Sequence, residues 1–266
     1  MIKILFFGDV SGAIARNALT KILPKLKIKF KPDLVIANAD NLAHGKGVTE
    51  KSLLEMKNIG IHFFTCGNHA FKKEDPNKII ANSKLDFVIP ENMADTKSGN
   101  GYKIIEINKQ KIAIINLLGK TFVKEAGDAD CPFKTFDKIY KKIKDVVDIT
   151  IVDFHAETTS EKVAFGFYVD GRAHAVLGTH THVQTNDAQI LKNGTIYITD
   201  VGWVGAKDSV IGVNKETVID KFLTDSKMIF EIPKNGEVII NAVILNINKS
   251  MRGNKIKIIR EEELIK

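Results

Sequence analysis

Three short apolar runs in the first third of the chain, Lys3–Phe7, Leu34–Ala37 and Ile61–Thr65, alternate with segments whose apolar residues recur at helical spacing. Runs this short, closed by turn residues, suit strands and are too brief for helices. Between them, Ala13–Lys29 places Ala15, Leu19, Ile22, Leu23 and Leu26 along a helical stripe, with Pro24 as an expected kink or break. Thr49 stands where a helix reaching about Asn58 needs its N-cap, and Asp75-Pro76 opens another that runs through Ala81. This alternation of strand and helix argues for a helix-covered parallel sheet in this third of the chain.

The rest of the chain is richer in strands. Tyr102–Ile107 and Lys111–Asn116 flank a turn at Asn108–Gln110, and Asp148–Phe154, Ala173–Leu177 and Ile196–Thr199 read as further strands. Phe136–Val147 is amphipathic and Ser160–Tyr168 is expected to be helical. Lys227–Ile232 and Glu237–Asn248 are expected to form a hairpin about Asn235-Gly236, with Lys255–Arg260 adding a strand. No linker, repeat or low-complexity stretch interrupts the chain, so one domain is expected over residues 1–266. The class is α/β. Two mixed β-sheets packed as a sandwich, with helices on the outer faces, fit this order; one large twisted sheet fits it as well.

Composition removes several classes of function. No apolar run is long enough to span a membrane, and with Met1 leading straight into an expected strand no signal peptide is expected. Only two cysteines are present, Cys66 and Cys131, which suits a reducing compartment, and a cytoplasmic location is expected. The net charge of +7 invites a nucleic-acid reading. Against it, the 39 basic residues include only four arginines, and the lysines are scattered without interleaved aromatics. Nucleic acid is therefore not expected as the main partner; self-association stays open.

Five strand ends carry metal-competent side chains. Asp9 follows the first run, Asp40 and Asn41 the second, and Asn68 and His69 the third after a break at Gly67. His155 closes Ile149–Phe154, while His180 and His182 follow Ala173–Leu177. Strand carboxyl ends are where ligands collect in α/β sheets. Taken singly, each has a commoner explanation: Asp9 as a helix N-cap, Asp40-Asn41 and Gly67-Asn68 as turns, His155 as a satisfied core histidine. His180-Thr181-His182 resists that treatment, since residues two apart on an extended segment share a side. Together, Asp9, Asp40, Asn41, Asn68, His155, His180 and His182 are too many for one tetrahedral zinc and suit two ions about 3.5–4 Å apart. Mixed oxygen and nitrogen donors favour manganese, iron or zinc over magnesium or calcium. Gly45-Lys46-Gly47 lacks the rest of a P-loop and reads as a turn.

The order Gly8-Asp9, Asp40-Asn41, Gly67-Asn68-His69, His155 and Gly178-Thr179-His180-Thr181-His182 resembles the calcineurin-like metallophosphoesterase superfamily. Gly8-Asp9-Val10-Ser11-Gly12 (in place of that superfamily's Asp-x-His opening), Asn38-Ala39-Asp40-Asn41, Phe154 through Lys162, Thr179 through Thr185 and Thr199-Asp200-Val201-Gly202 resemble a narrower group. That group is the bacterial YmdB-like phosphodiesterases, and the resemblance covers essentially the whole chain. The resemblance implies the two-sheet sandwich. It also implies one ion on Asp9, Asp40, Asn41 and His182 and a second on Asp40, Asn68, His155 and His180, so that Asp40 bridges. His69 would then be no ligand but a catalytic acid or charge stabiliser over the phosphate. This group normally carries glutamate where the chain has Asp40.

The implied activity is dinuclear phosphodiester hydrolysis by in-line attack of a metal-bound hydroxide, on 2′,3′- or 3′,5′-cyclic nucleotides, with iron or manganese as the expected ions and zinc as a further candidate. A phosphomonoesterase or nucleotidase is the nearest alternative. A metal-binding regulator with little turnover is the alternative of a different class, and it has no need of a histidine such as His69 beside a ligand.

Overall fold

Alternation at period two sets the layers. Along the strand Ile2–Val10 (β1), Ile2, Ile4 and Phe6 face one way and Leu5 and Phe7 the other, and all five are buried. Both faces of that strand are therefore covered. The computed structural model describes residues 1–81, 85–224 and 231–266. After β1 come the helix Gly12–Phe30 (α1), Leu34–Asn38 (β2), Glu50–Asn58 (α2), Phe63–Thr65 (β3), Pro76–Ala81 (α3) and Tyr102–Ile107 (β4). Gln110–Leu118 (β5), Pro132–Ile143 (α4), Ile149–His155 (β6), Thr159–Val169 (α5), Ala175–Thr179 (β7), Gln189–Ile190 (β8) and Ile196–Ile198 (β9) follow. Trp203–Ala206 (β10), Lys215–Thr224 (α6), Gly236–Ile247 (β11) and Lys255–Ile265 (β12) complete the order.

Two six-stranded sheets result, β12-β11-β10-β1-β2-β3 and β4-β5-β6-β7-β9-β8. Both are mixed. β1, β2 and β3 run parallel, as do β5, β6, β7 and β9, while β11 pairs antiparallel with β1, β10 and β12, and β4 and β8 are antiparallel edges. The inner faces meet through Ile4, Phe6, Ile36 and Phe63 of one sheet and Ile114, Ile151, Leu177 and Ile198 of the other. Outside, Ile14, Leu19 and Leu23 of α1 pack on Leu5 and Phe7, and Phe136 of α4 and Phe165 of α5 pack on Ile115, Val152 and Phe154. The architecture is the helix-flanked sandwich; the single twisted sheet is excluded.

Local rules hold in most places. Thr49 caps α2 in a capping box, its Oγ1 accepting the Ser52 N–H at 3.2 Å. Pro24 does not end α1, which continues to Phe30 and closes at Lys31 with φ 49°. Leu19, Ile22, Leu23 and Leu26 are all buried around the proline, and that packing outweighs a break costing about 3 kcal/mol. α4 starts earlier than its amphipathic pattern suggests, because Pro132 supplies a pre-set first turn. The expected hairpin about Asn235-Gly236 is corrected: β11 pairs with β12 instead. Of Lys227–Ile232, residues 227–230 lie outside the described residues, and Glu231 and Ile232 form no strand.

Candidate metal centre

Parallel strands of both sheets bring their carboxyl ends to one rim. Asp9 arrives on β1, Asp40 and Asn41 just after β2, Asn68 and His69 after β3, His155 as the last residue of β6, and His180 and His182 after β7. Gly67 lets β3 approach β6: a Cβ there would lie 2.2 Å from the His155 ring. Gly8 does the same for β1, since its Cβ would meet the Gly202 carbonyl oxygen at 1.9 Å. The Gly45–Gly47 segment is a turn, closed by Gly47 N–H donating to the Asp40 carbonyl at 2.6 Å.

All seven expected ligands come together: a triad of His155, Asn68 and His180, a second of His182, Asn41 and Asp9, and the Asp40 carboxylate between them. His155 Nε2 lies 3.0 Å from Asn68 Oδ1 and 3.0 Å from His180 Nδ1, with Asp40 Oδ2 at 3.6 Å. His182 Nε2 lies 3.3 Å from Asn41 Oδ1 and 3.7 Å from Asp9 Oδ1. Among the described residues, donor atoms of Asp9, Asp40 and His155 all fall within 4.8 Å of one another.

The tautomers follow from the partners on the far side of each ring. The Ile211 carbonyl, 3.3 Å from His182 Nδ1, can only accept, so that nitrogen carries the proton. Glu157 Oε2, 2.8 Å from His180 Nε2, likewise accepts a hydrogen bond from the N–H there. His155 Nδ1 sits 2.9 Å from Thr179 Oγ1, whose own hydroxyl donates to Asp153 Oδ1 at 2.7 Å. In its neutral form each ring is thereby left with a bare nitrogen turned toward the carboxylates, the outer arrangement that orients metal-binding histidines.

Charge is arranged to match. Burial alone would raise both carboxyl groups, but His182 and His155 beside Asp9, and His155 and His69 beside Asp40, hold the two well ionised. Burial pushes the His155 imidazole down to about 3, against the opposing pull of Asp40 and Asp9, so it stays neutral at ordinary pH. Burial opposes protonation of His182 too, yet its contact with Asp9 prevails and raises it. Asp9 Oδ1 is buried and has no hydrogen-bond partner. A bare carboxylate oxygen facing lone-pair nitrogens is costly unless a cation sits among them, and oxygen with imidazole is the donor set of a divalent transition metal. The residues present fit such ions.

His69 stands apart from the triads. Its N–H donates to Asp40 Oδ1 at 2.9 Å and its Nδ1 lies 2.7 Å from Asp40 Oδ2. It lines a cavity of about 430 Å³, together with Asp40, His180 and His182 and the apolar Val210, Ile211, Val213 and Phe222. The thiol of Cys66 lies beneath, 3.5 Å from Asp40 Oδ1, where burial and the neighbouring Asp40 carboxylate raise it far out of reactive range.

One local expectation is corrected. His180 and His182 do not lie on an extended segment with a shared side: β7 stops at Thr179, and the two adopt φ 102° and φ 63°, which sends one ring to each triad. Four supporting residues are not singled out by the sequence patterns. Asp153, buried inside the apolar β6, accepts from Asn38 Nδ2, Thr65 Oγ1 and Thr179 Oγ1; burial, with Asp9 nearby, still raises it to about 7. A charged residue within Ile149-Thr150-Ile151-Val152-Asp153-Phe154 is the signal that could have found it. Glu157, Thr179 and Asn38 carry none beyond their motifs.

Comparison with known proteins agrees in family and fold. A sequence model of the YmdB-like protein family matches residues 5–259. The chain is 40% identical over 246 residues to a 2′,3′-cyclic-nucleotide 2′-phosphodiesterase of Bacillus subtilis, covering 92% of this chain and 91% of that one. Among solved structures, a phosphatase of Mycoplasma pneumoniae superposes with a TM-score of 0.90 at 39% identity, covering 99% of this chain and 94% of that one. A protein of Thermus thermophilus described only as hypothetical superposes with a TM-score of 0.89 at 34% identity, covering 98% of this chain and 100% of that one.

Proposed function

The chain belongs to the YmdB-like family, and from that membership and the geometry of its rim we propose that it is a dinuclear metal-dependent phosphodiesterase acting on cyclic nucleotides, 2′,3′- or 3′,5′-. It is a phosphoesterase by kinship; the diester bond, the cyclic substrate and the pair of ions are the proposal. One observation carries it: three imidazoles, each tied by an outer partner on its far nitrogen, turn their other nitrogen, with two amide oxygens, toward two ionised carboxylates.

Two divalent ions held by Asp9, Asp40, Asn41 and His182, and by Asp40, Asn68, His155 and His180, would neutralise phosphate charge and acidify the attacking water. The protein's own groups do the rest. Asp40 anchors the Nδ1 edge of His69, so that a protonated His69 presents Nε2–H to the leaving oxygen, a contribution of about 10²–10⁴-fold. The wall of Val210, Ile211, Val213 and Phe222 offers an apolar surface to the nucleoside and keeps water off the reacting face. Nitrogen donors favour iron or manganese, with zinc also suited, over magnesium. Among the described residues no helix is long and apolar enough to cross a membrane, and a cytoplasmic enzyme working on a small diffusible ester is the setting proposed.

The test is elemental analysis of purified protein beside a panel of cyclic diesters, linear diesters and monoesters. About two metal equivalents with turnover of cyclic diesters is the expected result. Full activity after chelation, with metal shown to be absent, would refute the metal mechanism; turnover of monoesters alone would make the enzyme a nucleotidase.

A further inference from the structure

Lys162 is buried deep in the molecule, with its Nζ 2.7 Å from Asp200 Oδ2 and both side chains only 1% exposed. Such a pair is a poor way to gain stability, because dehydrating two ions offsets most of their attraction and an apolar pair of the same size often does as well. Its use is better sought in what else the carboxylate holds. Asp200 Oδ2 also accepts the Thr181 N–H at 3.1 Å and the Thr181 hydroxyl at 2.7 Å. Asp200 Oδ1 accepts the Gly202 N–H at 2.7 Å, and the Gly202 carbonyl accepts the Asp9 N–H at 3.1 Å.

Thr181 is the residue between His180 and His182, and both histidines lie at positive φ. A non-glycine residue in that region is strained and persists only where its surroundings hold it. Both polar groups that Thr181 can donate end on one carboxylate, which Lys162 keeps compensated. The same carboxylate reaches the Asp9 backbone through Gly202. We propose that Lys162 and Asp200 are positioning residues for the metal centre: a buried clamp that holds His182 and Asp9 at the spacing their ion requires, without touching metal or substrate. This rests on the reading that Asp9, Asn41 and His182 hold a cation.

The test uses Mn²⁺ alone, titrated calorimetrically into metal-free protein. Wild type is expected to bind two equivalents. Thr181→Val, which removes one hydroxyl and leaves the ion pair in place, is expected to bind one of them about 10–100-fold more weakly, the usual scale for outer partners of metal ligands. Thr181→Ser should restore the affinity, which a purely steric role for the threonine methyl would not. The charge-neutral double variant Lys162→Met/Asp200→Asn should show the same selective loss with a cooperative melt. Wild-type affinity at both positions in Thr181→Val overturns the clamp, and so does undiminished binding in a folded double variant. Failure of wild type to bind Mn²⁺ overturns instead the metal reading on which the clamp depends.

Discussion

Replacing Gly67 with alanine would set a methyl carbon 2.2 Å from Cδ2 and Nε2 of His155 and 2.5 Å from Cε1. Carbon atoms in contact need about 3.5 Å, so the ring has to retreat by roughly 1 Å. It has nowhere to go: His155 is fully buried, Thr179 holds Nδ1 at 2.9 Å, and Asn68 and His180 stand 3.0 Å from Nε2. Overpacking of this kind costs about 1–3 kcal/mol. At about 2–4 °C per kcal/mol for a chain of this size, metal-free protein should melt roughly 2–12 °C lower. The larger effect is on the metal. With Mn²⁺ at about 100 times the wild-type dissociation constant, binding adds about 2.7 kcal/mol; a variant with about 100-fold weaker affinity gains only about 0.4 kcal/mol. Paired melts in EDTA and in Mn²⁺ separate the two contributions. A Gly67→Ala protein that matches wild type in EDTA and rises as far with Mn²⁺ would show that the His155 ring is free to move and that its position does not set the affinity.

Three further outcomes are expected. His69→Ala should bind the wild-type number of metal ions and lose about 10²–10⁴-fold in kcat on a diester with a poor leaving group; loss of metal, or unchanged kcat, would remove His69 from the role of acid. Asp40→Glu should weaken Mn²⁺ binding and slow turnover, because Asp40 is 1% exposed and enclosed by His69, His155 and Cys66; Asp40→Asn, which removes the charge between the triads, should be worse, and a calorimetric titration showing either variant binding as tightly as wild type would refute this. In metal-free protein, the folded-state pKa of His155 is depressed to about 3 from 6.5. The unfolded chain therefore takes up a proton first, and this share of stability, complete above about pH 6.5, is lost as pH falls toward about 3. Denaturant midpoints measured in EDTA across that window should fall more steeply for wild type than for His155→Gln; equal slopes would contradict the assignment.

The features legible in the sequence are those written locally. Each strand end pairs an apolar run with an abrupt polar residue, and that pattern survives wherever burial on both faces demands it, as in β1, β2, β6 and β7. Thr49 and Ser52 announce α2 because a cap is a contact between near neighbours. What stays hidden depends on partners far apart in sequence. Asp153 meets Thr65 from 88 positions away and Asn38 from 115, and no periodicity records such a contact. α6 leaves no readable trace because Ile219, Phe222 and Leu223 are exposed and only Val218 of the helix is buried, so its apolar residues mark no core-facing stripe. The path through His180 and His182 departs from expectation for a related reason. An extended continuation of β7 is the local default, and the φ reversal comes from Asp200, which grips Thr181 from beyond β9.

The rim draws its donors from both halves of the chain: Asp9, Asp40, Asn41 and Asn68 belong to the sheet of β1, β2 and β3, and His155, His180 and His182 to the sheet of β6 and β7. A cation seated there would act as a rivet between the two sheets as well as a chemical reagent. Sliding one sheet over the other at their inner interface would pull it open, so the barrier to separating the layers rises with occupancy even though no apolar contact changes. Amide exchange at the carboxyl ends of β3 and β6, slow in the loaded protein, should accelerate together on chelation while the far ends of the same strands stay protected. The same dependence runs forward in time: neither sheet alone supplies the full donor set, so the complete centre forms only once the two have docked.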